Sequence, residues 1–158
     1  MNVPSLYIET TVVSYYTARP SRDVVVVAHQ QITQEWWETI LPHCDAYVSP
    51  VVVDEAGRGD SYAAALRLES IATFPALAVS KEVDMLAQEY FSHTQIPEKA
   101  RADAFHLALA TVHDIDYLVS WNFAHILAAS VRAVVQEINI AHGFRIPVIC
   151  TPEEAMEI

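Results

Sequence analysis

Short apolar runs alternate along the chain with longer segments in which apolar residues recur every three or four positions. The short runs are rich in residues that favour β-structure and predict strands at about residues 6–8, 46–48, 77–79, 117–120 and 148–149. The longer segments predict helices at about residues 12–16, 25–40, 61–72, 81–91, 97–113 and 131–141.

Strands and helices therefore alternate, and the strands are continuous apolar runs, as in parallel sheets that are covered on both faces. The pattern predicts the α/β class, with three layers in the order α/β/α and a mostly parallel central sheet. No internal repeat, low-complexity segment or linker is visible, so we expect residues 1–158 to form one domain.

Three short sequences mark helix starts. Thr10 and Thr11 can cap the first helix. Ser49 followed by Pro50 suits a cap and the first position of a helix that would carry Asp54 and Glu55. The sequence 151–154 (Thr-Pro-Glu-Glu) is a capping box.

The composition favours a packed core, because 53% of the residues are hydrophobic and only 18% are charged. The glycines at 57 and 59 lack the third glycine of a dinucleotide-binding loop, which excludes that site. Cys44 and Cys150 have no partner at metal-ligand spacing and suit a reducing compartment. The longest apolar runs, such as residues 24–28, are too short to span a bilayer. We therefore expect a cytoplasmic protein that is not exported.

The formal net charge of −11 argues against a nucleic-acid partner, since such partners are normally bound through Lys and Arg. Carboxylates gathered around a cation would reverse the local sign of the field. The positions of the acidic residues therefore decide how the charge is interpreted.

Ligand sites in open parallel sheets form beyond the carboxyl ends of the strands. Glu9 ends the first predicted strand, and Asn122 follows the strand at 117–120, so both fall at that edge. Asp116 begins the same strand, roughly 20 Å from Asn122 at about 3.3 Å per residue. We interpret Asp116 as a structural residue.

Two further acids are predicted to face the body of the protein. Asp103 lies on the apolar side of its helix and needs a partner, either Lys99 one turn earlier or a divalent cation shared with Glu9. Glu55 follows the apolar Val51 and Val52 by about one turn, which suggests that it faces inward. Asp54 is the alternative, because adjacent helical residues point 100° apart and only one of the two acids can face the site.

A hard cation such as Mg²⁺ or Mn²⁺ prefers oxygen ligands and is held by a few carboxylates together with substrate phosphate. Such ions promote phosphodiester hydrolysis. Basic residues near the same edge could contact a phosphate backbone, although solvated surface charge is the simpler interpretation of each; these residues are Arg19, Arg22, Arg58, Lys99 and Arg101.

The strings at 7–10 (YIET), 49–56 (SPVVVDEA), 102–108 (ADAFHLA) and 116–122 (DYLVSWN) resemble a PIN domain of the bacterial VapC-like toxin branch. The resemblance implies a small α/β/α fold and a Mg²⁺- or Mn²⁺-dependent ribonuclease, usually a homodimer held inactive by a cognate antitoxin. It assigns metal binding to Glu9, Glu55 and Asp103, and a fourth catalytic position to Asn122.

Two positions depart from the family pattern. PIN domains usually have Asp at the first position, and Glu9 is longer by one methylene, about 1.5 Å. Asn122 stands where the family has its fourth acid; it can accept a hydrogen bond from a water ligand but adds no charge.

Other polar and aromatic residues carry weaker signals. His106 lies three residues after Asp103, and a structural role is favoured over a role in the site. Trp121 either walls the site or packs in the core, and Trp37 is expected at the surface or an interface. The remaining histidines show no ligand spacing: His29, His43, His93, His113, His125 and His142.

The leading hypothesis is a metal-dependent endoribonuclease that hydrolyses RNA phosphodiester bonds as the toxin of a toxin–antitoxin pair. Asn122 and the acidic net charge motivate the alternative, a catalytically degenerate PIN domain that binds a protein or an RNA.

Overall fold

The computed structural model describes residues 2–158. Within them a four-stranded sheet is formed by β1 (Ser5–Ile8), β2 (Asp45–Tyr47), β3 (Tyr117–Val119) and β4 (Val148–Cys150). The α-helices of this part of the chain are α1 (Thr10–Thr17), α2 (Val24–Thr39), α3 (Pro50–Ala56), α4 (Ser61–Ile71), α5 (Lys81–His93), α6 (Arg101–Val112) and α7 (Ala129–His142). Short 3-10 helices lie at Leu41–His43, Glu98–Ala100 and Glu154–Glu157.

All strand pairs in the sheet are parallel, in the order β2-β1-β3-β4. Ile8 at the end of β1 is in register with Val119 at the end of β3. The chain moves from β1 to β2 in one direction and later returns to place β3 on the other side of β1. The strand order therefore reverses between β1 and β3, where open α/β sheets form their ligand crevice.

The core explains the continuous apolar runs of the sequence. Leu6, Tyr7 and Ile8 are successive residues of β1, and each is 0% exposed. Successive strand residues point to opposite faces of a sheet, so helices must cover both faces of β1. Helix α6 is buried along most of its length and packs against α5. The three-layer α/β/α prediction is confirmed.

Most predicted elements are present, but the strand predicted at residues 77–79 is wrong. That segment forms only an isolated bridge between Val48 and Ala76, followed by a hydrogen bond from Leu77 N to Val48 O of 2.8 Å. Val79 is 42% exposed. The apolar run lacks a strand partner along its length, and β-propensity alone does not form a strand.

The helix starts are partly as predicted. Ser49 caps α3 with Pro50 in its first turn, and Thr151 forms the reciprocal capping-box bonds with Glu154. The prediction for the first helix is wrong, because α1 starts at Thr10 and the Glu9 side chain caps it by accepting from Thr11 N.

Asp116 lies at the opposite edge of the sheet, as predicted. Its carboxylate accepts hydrogen bonds from the backbone N and hydroxyl of Ser5, and it pairs with Arg145 at 2.8 Å. These contacts tie the start of β3 to the start of β1. Among the described residues, none of the helices combines the length and apolar character needed to cross a bilayer.

Candidate functional site

The candidate site begins where β1 and β3 end side by side. Glu9 follows β1 directly, and its backbone N donates to Val119 O at 3.1 Å, which continues the ladder by one bond. The Glu9 side chain is only 2% exposed. Strand pairing and the start of α1 therefore fix the buried carboxylate of Glu9 where the strand order of the sheet reverses.

The carboxylate of Glu9 accepts hydrogen bonds from neutral groups. Its Oε1 accepts from the Thr11 hydroxyl at 2.5 Å and the Ser120 hydroxyl at 2.6 Å, and its Oε2 accepts from Thr11 N at 3.2 Å. Burial raises the pKa of Glu9, and the charge of His106 and these hydrogen bonds oppose the rise only in part. The site therefore holds a carboxylate that a cation would stabilise.

Glu55 is the acid of the α3 pair that faces the site. Its Oε1 accepts from the Thr10 hydroxyl at 2.8 Å and lies 2.6 Å from His106 Nε2. Asp54 points outward and pairs with Arg58 at the surface. Burial raises the pKa of Glu55, but the hydrogen bond and charge of His106, together with Thr10 and Arg58, lower it overall.

His106 is fully buried on α6 and joins Glu55 to the core. Its Nδ1 lies 2.6 Å from the Tyr7 hydroxyl, which is in turn 2.8 Å from the Ser49 hydroxyl. Burial lowers the pKa of His106, but the bond to Glu55 and the charges of the surrounding carboxylates raise it overall. The sequence had favoured a structural role for this residue.

The side chains of Glu9, Glu55 and His106 lie close together. Each offers one ligand atom, and these atoms lie within 4.8 Å of one another. In residues 2–158, Asp103 is outside this group, although its charge contributes to the raised pKa of His106. Two of the three predicted ligands, Glu9 and Glu55, are therefore brought together, and both ring nitrogens of the neighbouring His106 already have hydrogen-bond partners.

Asp103 faces inward as predicted and is 7% exposed. Its hydrogen-bond partner within the described chain is not Lys99, the first of the two alternatives that the sequence offered. Oδ2 of Asp103 lies 2.8 Å from Nδ1 of His125, whose side chain is 26% exposed. No spacing rule relates two residues that are 22 positions apart, so the sequence missed His125.

Asn122 lies at the expected edge, and its side chain shapes the loop after β3. Its backbone N donates to the Ser120 hydroxyl at 2.9 Å, and its Oδ1 accepts from His125 N at 3.0 Å. Asn122 thereby connects the hydroxyl that binds Glu9 with the histidine that binds Asp103.

Trp121 and Trp37 are both buried. Trp121 is 5% exposed, stacks on His29 at 4.1 Å between ring centroids, and donates from Nε1 to the Thr33 hydroxyl at 2.7 Å. Trp37 is 9% exposed and stacks on Tyr16 at 4.3 Å, so of the two expected positions, surface or interface, the surface is wrong.

The basic residues that the sequence places near the edge lie at the surface. Arg19, Arg22 and Lys99 are exposed, Arg58 pairs with Asp54, and Arg101 pairs with Glu98 at 2.9 Å. The Arg101 guanidinium also lies 4.0 Å from the centroid of the Phe91 ring.

Comparisons with known proteins establish the fold. No family model and no curated protein matches the sequence. Among solved structures, the chain is similar to VapC20 of Mycobacterium tuberculosis, described as a sarcin-ricin loop cleaving toxin, with a TM-score of 0.58 and 16% identity. The similarity covers 75% of this chain and 91% of VapC20. At this identity the likeness is one of fold, and it confirms the PIN-like three-layer architecture expected from the sequence.

Proposed function

We propose that this protein is a divalent-metal-dependent endoribonuclease, with Mg²⁺ or Mn²⁺ as its metal and RNA phosphodiester bonds as its substrate. One observation carries the proposal: the carboxylates of Glu9 and Glu55 converge with His106 where the strand order of a PIN-like sheet reverses. In such sheets this position is the usual place for a ligand.

The donor chemistry of the site suits a hard cation. Glu9 is buried, its hydrogen-bond partners are neutral hydroxyl and amide donors, and the nearby His106 offsets its negative charge only in part. Both hydrogen bonds to Glu55 end on Oε1, so among residues 2–158 its Oε2 is the oxygen available to a ligand. Carboxylate oxygens are the preferred ligands of Mg²⁺ and Mn²⁺.

Glu9, Glu55 and Asp103 would hold the cation, and His106 would orient Glu55 from behind. Hydrogen-bonded partners of this kind fix the direction of metal-binding carboxylates. His125 holds Asp103 in the same way, at 2.8 Å. When bound, such a cation polarises a phosphoryl oxygen and activates a water for attack on phosphorus.

RNA is the substrate that the fold and the site favour together. VapC20, which has this fold, is described as cleaving the sarcin-ricin loop. The net charge of −11 does not oppose this, because a cation held by the carboxylates attracts phosphate where the bare site would repel it. We propose on the same grounds a cytoplasmic single-domain toxin that forms a homodimer and is neutralised by a cognate antitoxin.

The decisive experiment is cleavage of a mixed RNA substrate by the purified protein with Mn²⁺ or Mg²⁺ and with EDTA. We expect cleavage only with metal, and a loss of at least about 100-fold in Glu55→Gln and Asp103→Asn, because metal catalysis contributes several kcal/mol. Asp54→Asn is the matched control, since that carboxylate points away from the site. Equal degradation by wild type and Glu55→Gln, or none by any variant, would contradict the proposal.

A second function is favoured by the use of Asn122. The Oδ1 of Asn122 accepts from the backbone N of His125, and its neutral amide adds no charge to the site. A binding module that does not catalyse needs no fourth acid at this position. Such a module would bind RNA or a protein in the same assay and leave the RNA intact in Mn²⁺.

A further inference from the structure

We infer that Phe123 is a stacking platform for a nucleobase of the RNA strand at the candidate site. The inference rests on the proposed function for its substrate class. Phe123 follows Asn122 directly, and its ring has no role in the proposed metal binding.

Phe123 ends a series of stacked aromatic rings. Trp121 stacks on His29 at 4.1 Å with 15° between the planes, and Tyr15 stacks on Trp121 at 6.1 Å. The ring of Phe123 is tilted at 5.9 Å from His29 and 6.1 Å from Trp121. Phe123 is 56% exposed and Trp121 is 5% exposed, so the series opens to solvent at Phe123.

The exposed ring is held in a defined turn. Phe123 N donates to Trp121 O at 2.9 Å, and Leu127 N donates to Asn122 O at 2.9 Å. Ile126 and Leu127 anchor the end of the turn in the core, at 0% and 7% exposure. An aromatic ring presented by such a turn loses little conformational freedom when it binds a ligand.

The platform adjoins the carboxylates. Ser120 donates to Glu9, and Trp121 N donates to the Thr11 hydroxyl at 2.9 Å. Phe123 is three residues after Ser120, which limits the separation of their Cα atoms to about 11 Å. A base next to a phosphate at the carboxylates would therefore lie within reach of the ring.

A base is the occupant that this environment favours. Single-stranded RNA is recognised by stacking its bases on aromatic side chains beside polar groups. Here the polar residues Asn122 and His125 lie close to Phe123 in sequence, and Asp103, which His125 contacts, is one of the carboxylates proposed to hold a cation. The rival occupant is a protein surface, which exposed Val25, one turn before His29, would help to bind.

The test is equilibrium binding of a short, unstructured RNA and of a ribose-phosphate chain of the same length without bases. Binding is measured by fluorescence anisotropy with the full chain in EDTA, where no cleavage is expected. We expect the wild type to prefer the RNA, Phe123→Ala to bind it roughly 5- to 150-fold more weakly, and Phe123→Trp to retain binding. Tyr62→Ala is the matched control, because Tyr62 is 66% exposed on α4.

Unchanged binding in Phe123→Ala would overturn the inference, as would an equal loss of binding to the chain without bases. A change in oligomeric state in Phe123→Ala, measured by light scattering, would also overturn it and identify a protein surface as the occupant. These binding results are independent of the cleavage assay. Base-dependent binding by a protein that cuts no RNA would support the platform and contradict the nuclease. Cleavage together with unchanged binding in Phe123→Ala would support the nuclease and contradict the platform.

Discussion

His106 Nε2 lies 2.6 Å from Oε1 of Glu55, and the histidine ring is fully buried while the carboxylate is partly open to solvent. A carboxylate can only accept, so the histidine donates from Nε2. The other ring nitrogen is held by the Tyr7 hydroxyl, which fixes the plane of the ring. Glu55 is thereby oriented from the core side, and both of its hydrogen bonds among residues 2–158 end on Oε1.

The hydroxyl of Tyr7 should control metal affinity through this contact. Tyr7→Phe keeps the buried ring and removes the hydrogen bonds to His106 and Ser49. We expect the Mn²⁺ concentration for half-maximal RNA cleavage to rise about 10-fold, since partners of metal-binding side chains typically contribute 10- to 100-fold.

Tyr90→Phe is the control for this substitution. Tyr90 is another fully buried tyrosine, and its hydroxyl bonds to Thr111 and Asn139 in the core. Both variants should lose about 1–3 kcal/mol of unfolding free energy, the usual effect of leaving buried partners unbonded. If the two variants show the same Mn²⁺ dependence, His106 has a structural role alone.

Metal binding should also be visible in thermal stability. A ligand at 100 times its dissociation constant stabilises the folded state by about 2.7 kcal/mol, which raises Tm by roughly 5–10 °C for a chain of this size. We expect this shift with Mn²⁺ in the wild type and its loss in Glu9→Gln, measured by calorimetry. Asp54→Asn should retain the full shift, and a shift that persists in Glu9→Gln would place the metal elsewhere.

The sequence predicted the edge of the sheet at which the site lies, because strand ends follow from local patterns. Residues 6–8 of β1 and all of β3 are apolar runs, and the rule for parallel sheets then brings Glu9 and Asn122 to one edge. The choice between Asp54 and Glu55 needed the structure, since both lie on one short helix and only the contacts with Thr10 and His106 separate them.

The contacts that the sequence missed are tertiary. His125 reaches Asp103 from a loop that the turn at Asn122 folds back, and no residue pattern encodes that distance. The sequence favours a structural role for His106 because a polar residue at the edge of a helix face more often has one. Its partners, Tyr7 and Glu55, come from two other elements and are 99 and 51 positions away.

Asp116 should make stability depend on pH at the acid end. The backbone N of Ser5 and the Arg145 guanidinium hold the pKa of Asp116 below its usual range. An acid with a lowered folded-state pKa stabilises the protein above its unfolded pKa, near 4, and the effect is lost as the pH falls through the folded value. Asp116→Asn should therefore cost about 1 kcal/mol at neutral pH, discounted for a side chain that is 34% exposed.

The measurement is urea unfolding of wild type and Asp116→Asn from pH 7 to pH 3. Asp114→Asn is the matched control, because Asp114 pairs with the same Arg145 but is 71% exposed. It also has φ 55°, which asparagine tolerates. We expect less than about 0.5 kcal/mol for that variant, in line with exposed ion pairs. A difference between wild type and Asp116→Asn that stays constant down to pH 3 would contradict the assignment.

Substitutions of Asn122 distinguish two roles for the fourth position of the site: holding the loop after β3 and supplying negative charge. Asn122→Ala removes the acceptor for His125 N and should release His125 from Asp103, with a loss of about 1 kcal/mol of unfolding free energy and about 10-fold in cleavage rate. Asn122→Asp keeps an acceptor of the same length, so it should retain both the stability and the rate of the wild type. Steady-state kinetics and calorimetry on the same preparations test the pair. If Asn122→Asp falls as far as Asn122→Ala, the neutral amide itself is required and the loop-holding role is wrong.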